Sequence, residues 1–205
     1  MLIGVGLGPG DPGLLTLQAV DILQRANKVF VPGRLAQELA EPYSKPYMLE
    51  FPMTKDQAVL QSHWDENADM VAGPARDGLV AFGLIGDPNF FSTFTHLRRI
   101  IQQRHPDISI STIPGISSIT AFASRADIMM DTSFEVSDGS PITDRIILKA
   151  RRPREIINSL RLKGFEEFIL TQRLFSDTEE IIKDPEEMPD KGDYFSLILA
   201  RKHRE

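Results

Sequence analysis

Cysteine is absent from all 205 residues, which removes disulfides, thiolate zinc sites, iron–sulfur clusters and Cys nucleophiles together. No run approaches the roughly 18 consecutive apolar residues that a membrane-crossing helix needs. The opening MLIGVGLGPG lacks the basic flank and long apolar stretch of a secretory signal. A soluble, cytoplasmic protein with no membrane partner is expected. Histidine is scarce as well: His63, His96, His105 and His203 lie far apart without metal-ligand spacing, so no protein-held metal is expected. Basic residues are outnumbered, 23 Lys and Arg against 29 Asp and Glu, for a net charge of −6. A dominant basic surface for gripping nucleic-acid phosphates is therefore missing, and any anionic ligand must meet local cations. No Ser/His/Asp or Cys/His set suggests covalent catalysis, and no GxxxxGK[ST] run offers a phosphate cradle.

What remains is enough to fold. Hydrophobic residues make up 41% of the chain, and the 14 Gly and 14 Pro are spread along it rather than clustered, a composition that sustains a buried core. At roughly 100–200 residues per domain, the length suits one large or two small domains. Residues 2–7 read as a short apolar strand, followed by GPGDPG and a helix carrying Leu14, Leu15, Leu17, Val20, Ile22 and Leu23. Asp11 is placed to cap that helix with Pro12 at its first position. A strand at 29–31 stops at Pro32-Gly33, and a short helix follows at 35–40. YMLEFPM holds a third strand, and 56–71 reads as a long helix that Gly73-Pro74 should bend or end. LVAFGLI, residues 79–85, is almost continuously apolar, as a strand buried on both faces should be. GDPNFF comes next, then a helix at 92–104, a strand at 108–113 and a helix opened by PGISS. Beyond Asp127 strand patterns dominate, at 133–136, 145–150, 167–172, 179–183 and 194–201, with one helix at 154–163. The expected architecture is α/β in two domains, 1–113 and 114–205, each a mixed sheet flanked by helices.

Three Gly/Pro loops each follow a strand at its C-terminal end: GPGDPG at 8–13, GDP at 86–88 and PGISS at 114–118. That edge of an open α/β sheet is where ligands bind, so the loops point to one cleft. Gly8, Gly10 and Gly13 match the dinucleotide pattern GxGxxG, but the chemistry argues against a dinucleotide. Pro9 and Pro12 remove backbone donors, and Asp11 would set a carboxylate against a pyrophosphate. The next strand ends Val31-Pro32-Gly33 where a ribose-binding acid belongs. A cofactor without phosphate fits better.

At these residues the chain resembles a known family. GVGLGPGDPGLLTLQAVDILQRANKVFVP, GDPNFFSTF and PGISSITAFA look like the three signature segments of the tetrapyrrole methylases, S-adenosylmethionine-dependent enzymes of cobalamin and siroheme synthesis. FPMTKD at 51–56, the helix with His63-Trp64, GDPNFFSTFTHL and the closing DYFSLILARK resemble the subgroup that methylates C-20 of precorrin-2 or cobalt-factor II. The resemblance runs from Met1 to about Ala126 and returns in the last dozen residues; the stretch 127–192 is short and divergent beside it.

The resemblance implies a homodimer, with S-adenosylmethionine held in a cleft between the two domains of each protomer and a small-molecule tetrapyrrole as substrate. It sets Pro9 beside the cofactor, Ile85, Gly86, Asp87 and Phe90 around its adenosine and methionine parts, and Ser117 and Ser118 on its other side. Lys149-Ala150 falls where the family often has a further cofactor contact. Gly10, Asp11 and Arg34 are candidate substrate contacts, with Arg98, Arg99 and the KARRPR run at 149–154 as further cations for the substrate's carboxylates. Each residue also has a purely structural use: Phe90 and Phe91 as core aromatics, Ser117 and Ser118 at a helix start, Asp87 as a turn former and Asp11 as a cap. Competing functions are methylation at another corrinoid position or of a diphthine precursor, a silent ligand-binding module, and an NAD-dependent oxidoreductase.

Overall fold

The computed structural model describes residues 1–52 and 56–203. Met53, Thr54 and Lys55, the centre of the FPMTKD segment, lie outside the described residues. The chain divides into two compact units, Met1–Asp131 and Thr132–Glu205. The division falls beyond the expected 113/114 junction because the segment after 113 is tied into the first unit. Gly115 N donates to the Asp87 carboxylate, and Arg125 reaches Asp11.

The first unit alternates strand and helix: β1 (Leu2–Gly6), α1 (Leu17–Arg25), β2 (Lys28–Val31), α2 (Arg34–Ala40), β3 (Pro46–Met48), α3 (Gln57–Asp77), β4 (Val80–Leu84), α4 (Thr93–Arg104), β5 (Ile110–Ile113) and α5 (Ser118–Arg125). The strands form a five-stranded sheet in the order β3-β2-β4-β1-β5, every pair parallel. Every residue of β1 and of β4 is buried, which explains why both read as unbroken apolar runs. Alternate side chains enter different cores. Leu2, Phe30, Val80 and Phe82 pack with Ala68, Val71 and Ala72 of α3 and Phe94, Leu97 and Ile101 of α4. Ile3, Val5, Val29, Val31 and Ala81 pack with Ala19, Ile22 and Leu23 of α1 and with Ala36 and Leu39 of α2. Thus α1, which follows β1, covers one face, and α4, which follows β4, covers the other. Neighbouring strands whose chains depart to opposite faces leave a crevice at their C-terminal ends.

The second unit holds β6 (Asp144–Leu148), α6 (Pro153–Arg161), β7 (Glu167–Gln172), β8 (Glu180–Ile182) and β9 (Ser196–Arg201). Its four strands run in the order β6-β9-β7-β8, all pairs antiparallel. Ile157 and Leu160 of α6 pack with Phe168, Leu170, Ile198 and Ala200 of the sheet. The expected mixture of strand directions is therefore a division between units: one sheet is parallel, the other antiparallel.

Some local expectations are corrected. Residues 133–136 form no strand, because β-favouring residues without a partner strand do not make a ladder. The third strand is Pro46–Met48, at the start of the YMLEFPM region rather than within it. Pro74 lies inside α3, which runs on to Asp77. Val71, Ala72 and Ala75 on either side of it are at most 1% exposed, so core packing holds the last turn despite the missing N–H. Asp11 caps only a single 3-10 turn at Pro12–Leu14, while Thr16 caps α1. Among the described residues no helix is long and apolar enough to cross a membrane.

Candidate functional site

The loops after β4, β1 and β5 leave three adjacent strands of the parallel sheet and are joined to one another directly. Leu7 N donates to Leu84 O at 2.8 Å and Gly86 N to Gly8 O at 2.7 Å, the latter within an isolated antiparallel Gly8–Gly86 bridge beyond the parallel β1–β4 ladder. The bridge needs glycine, since Gly8 and Gly86 have φ of 75° and 78°, a region that L side chains enter at a cost. The third loop is pressed onto this pair. A Cβ on Gly6 would stand 2.5 Å from Gly115 Cα, and one on Gly115 would strike the Gly86 carbonyl oxygen. Backbone thus meets backbone where a side chain has no room.

Asp87 fastens the junction. It is 8% exposed; Oδ1 accepts from Asn89 N at 2.8 Å and Asn89 Nδ2 at 3.2 Å, and Oδ2 accepts from Gly115 N at 3.1 Å. Asn89 Nδ2 also reaches Thr112 Oγ1 of β5 at 3.3 Å. One buried carboxylate therefore orients its own loop and anchors the neighbouring one, with charge-assisted bonds to backbone donors.

The remaining expected residues surround this junction in the first unit. Pro9 and Gly10 are half-buried at the first loop, with Leu35 of α2 as the side chain nearest Gly10. Ile85 and Gly86 are half-buried, as is Ser117, whose Oγ accepts from Ile119 N and caps α5; Ser118, the first residue of that helix, is exposed. Asp11 accepts from Gly13 N at 2.9 Å and pairs with Arg125 at 3.7 Å, a second link between the first loop and α5. Arg34 is the least committed of the set. Its side chain is 88% exposed and bonds Glu38 one turn along. The core reading of Phe90 and Phe91 is overturned: they are 51% and 71% exposed, and Phe94 is the aromatic that enters the core, at 1%. Phe91 also has a φ of 48°, strain of the kind that functional loops hold.

Sequence reasoning missed Gly6, Asn89 and Thr112. A glycine inside an apolar run signals close approach in general, but not which segment approaches.

The junction suits a phosphate-free cationic ligand. Its charged groups are the Asp87 carboxylate and the Asp11 carboxylate paired with Arg125, so the acidic charge at Asp87 repels a pyrophosphate and tolerates a sulfonium. Of the glycines at the junction, only Gly86 has open space beside it, nothing lying within 4 Å of where a Cβ would stand.

Residues 1–182 match the family of tetrapyrrole (corrin/porphyrin) methylases. The chain belongs to that family. This tetrapyrrole methylase is 29% identical to a Methanocaldococcus jannaschii protein named "probable cobalt-precorrin-2 C(20)-methyltransferase", the alignment covering 98% of the chain and 96% of that protein. It is 27% identical to a precorrin-2 C(20)-methyltransferase of a Sinorhizobium species over 97% of the chain and 94% of that enzyme. Among solved structures it superposes on uroporphyrin-III C-methyltransferase of Thermus thermophilus with a TM-score of 0.52 at 19% identity, covering 98% of this chain and 91% of that one. That likeness establishes the shared fold of the methylase.

Proposed function

We propose that this methylase transfers a methyl group from S-adenosylmethionine to C-20 of precorrin-2 or cobalt-factor II in cobalamin biosynthesis. The observation that carries the reading is the glycine junction of the loops after β4, β1 and β5, closed by Asp87. The near full-length similarity to C(20)-methyltransferases supports the choice of position.

When bound, the cofactor supplies an electrophilic methyl carbon on a positively charged sulfur. Pro9, Ile85, Gly86, Asp87 and Phe90 hold it from the first and second loops, and Ser117 and Ser118 from the third. The substrate's electron-rich meso carbon is the nucleophile: its bond to the methyl carbon would form as the carbon–sulfur bond breaks, S-adenosylhomocysteine would leave, and loss of the C-20 proton would complete the substitution. The protein's task is then to orient and to exclude water rather than to attack. Holding two reactants in line and in contact supplies roughly 7–11 kcal/mol of barrier reduction. A junction already latched by main-chain bonds contributes by not having to be organised during the reaction. Asp87 positions Gly115 and thereby the third loop. Gly10, Asp11 and Arg34 border the first loop as substrate contacts, with Arg34 free to exchange exposed Glu38 for a substrate carboxylate.

We also infer that the enzyme acts in the cytoplasm as a homodimer. Residues 127–143 contain no helix or strand and expose Met129, Met130 and Phe134 at 94%, 46% and 59%, an apolar surface that supports association. Sedimentation equilibrium tests this, a monomer at micromolar concentration being the contrary result.

The decisive experiment incubates the protein with cobalt-factor II and methyl-13C S-adenosylmethionine and locates the label by NMR. Label at C-20 is expected; label at another position rejects the substrate assignment. S-adenosylhomocysteine should raise the melting temperature and NAD should not, since only a ligand of the native state stabilises it.

A further inference from the structure

We propose that Asn67 of α3 is a positioning residue for the methyl acceptor: it pins the segment that leaves β3 against the flank of the second loop, and so sets how tightly the acceptor binds. The acceptor role rests on the methyl-transfer reading above. Asparagine is a poor choice for a helix interior, where it ranks well below leucine, and burial makes it a costlier one. Asn67 is nevertheless 5% exposed, one turn from Trp64 and one from Val71, on the face of α3 where Ala68, Val71 and Ala72 enter the core. Among the described residues of the first unit only Asp87 is another buried polar side chain, and it closes the loop junction. The amide of Asn67 has a different partner: Nδ2 donates to Glu50 O at 2.8 Å. Glu50 belongs to no strand, so this bond fixes a main-chain carbonyl that no ladder holds. An apolar side chain of similar volume would fill the same place without fixing it.

The pinned segment leaves the sheet at the edge where the three loops meet. β3 is parallel to β2, so its C-terminal end shares that edge with those of β4, β1 and β5. Leu49 N donates to Val31 O at 2.9 Å, and its side chain is 2% exposed in the core under α3. Glu50 O takes the Asn67 amide. Phe51 then reaches across β2, its ring 6.3 Å from Phe82 of β4 and 4.7 Å from Trp64 of α3. Trp64 in turn lies 5.3 Å from the ring of His96, in the first turn of α4. Only Ser92 separates that helix from Phe91 at the end of GDPNFF. Asn67 therefore holds one end of a run of contacts whose other end is the base of the second loop.

The strand order separates this segment from the seat of the donor. The loop junction uses β4, β1 and β5, whereas the segment arrives from β3, on the other side of β4 in the order β3-β2-β4-β1-β5. The junction is closed by its own partners, Asp87 to Gly115 and Gly8 to Gly86, and needs nothing from Glu50 or Phe51. A wall on the far flank of the second loop is left for the second reactant. Releasing it should loosen the acceptor and spare the donor.

Steady-state methylation of cobalt-factor II by Asn67→Leu tests the proposal, with Val71→Ala as a control from the same helix and core. Leucine keeps the volume, removes the donor and is the better helix former; Glu50 is exposed, so its carbonyl can turn to water. The melting temperature should therefore change little. The KM for cobalt-factor II should rise about three- to tenfold, the size of one lost hydrogen bond, while the KM for S-adenosylmethionine and the affinity for S-adenosylhomocysteine stay as in the parent. Val71→Ala should melt lower and leave both KM values alone. Trp64 is the only tryptophan of the chain, and acrylamide should quench it more in Asn67→Leu than in the parent or the control, because Phe51 no longer covers it. Phe51→Leu, at a half-buried site, should give the same KM split. The double variant should raise the acceptor KM by less than the product of the single effects, since both changes release one segment. Unchanged acceptor KM in both single variants overturns the proposal, and so does an equal rise in Val71→Ala, which reduces Asn67 to packing. Weaker S-adenosylhomocysteine binding in Asn67→Leu also overturns it, setting the segment against the donor. A methylating parent with unaltered variants defeats the positioning role alone; a parent that leaves cobalt-factor II unmethylated defeats the methyl-transfer reading and this role with it.

Discussion

Gly115 shows how little freedom single positions have at the loop junction. A methyl group there meets the Gly86 carbonyl and the Gly6 backbone, none of which is a flexible side-chain end. Gly115→Ala should cost about 1–3 kcal/mol by overpacking and weaken S-adenosylhomocysteine binding. Gly33→Ala is the control, since nothing lies within 4 Å of a Cβ at that site and its φ of 171° is ordinary extended backbone; urea unfolding should show little or no loss. Asp87→Asn preserves shape but turns an amide donor toward Asn89 or Gly115, whose N–H groups now donate to the carboxylate. Leaving one buried donor unpaired should cost about 1–3 kcal/mol, readable as a lower denaturation midpoint with weaker S-adenosylhomocysteine binding. These residues also mark the limit of reading a site from sequence. The resemblance to the family sets Asp87 and Ser117 at the site, whereas nothing in it pairs Gly6 with Gly115, far along the chain. No local pattern encodes a contact between such remote segments.

Secondary structure was most legible where burial is two-sided. β4 announced itself because a strand covered on both faces has no polar side to interrupt it. The 133–136 segment misled because strand propensity needs a partner to pair with. α3 outran its proline because residues remote in sequence pack around its last turn. Helix ends also carry measurable weight. Thr16 Oγ1 accepts from Ala19 N at 3.1 Å at the start of α1, so Thr16→Ala should lower stability by about 1 kcal/mol, measured by chemical denaturation. In the second unit, the turn before β9 is acid-sensitive. Chiefly the Phe195 backbone N–H, aided by Arg173 and opposed by desolvation, holds the Asp193 carboxyl below its ordinary range. The stabilisation this gives is complete above the unfolded value, near pH 4, and is lost as pH falls through the lower folded value. Thermal melts of Asp193→Asn should therefore decline less than those of the parent as pH falls from about 5 to 3.

Across the whole molecule, the division after Asp131 is the feature that composition alone did not locate. The polypeptide from 127 to 143 has no regular element, and Met129 is 94% exposed. Brief chymotrypsin treatment should cut there first, near Phe134, and leave Phe82 and Phe94 intact; mass spectrometry of the earliest fragments checks it, and initial cleavage within the parallel sheet would contradict the division. The Gly8–Gly86 bridge has a wider bearing. Because the loops are stitched by main-chain atoms, the geometry of their seam does not depend on which side chains stand at its rim. An engineer seeking a new acceptor molecule could vary those outer positions broadly and leave the proposed donor site undisturbed.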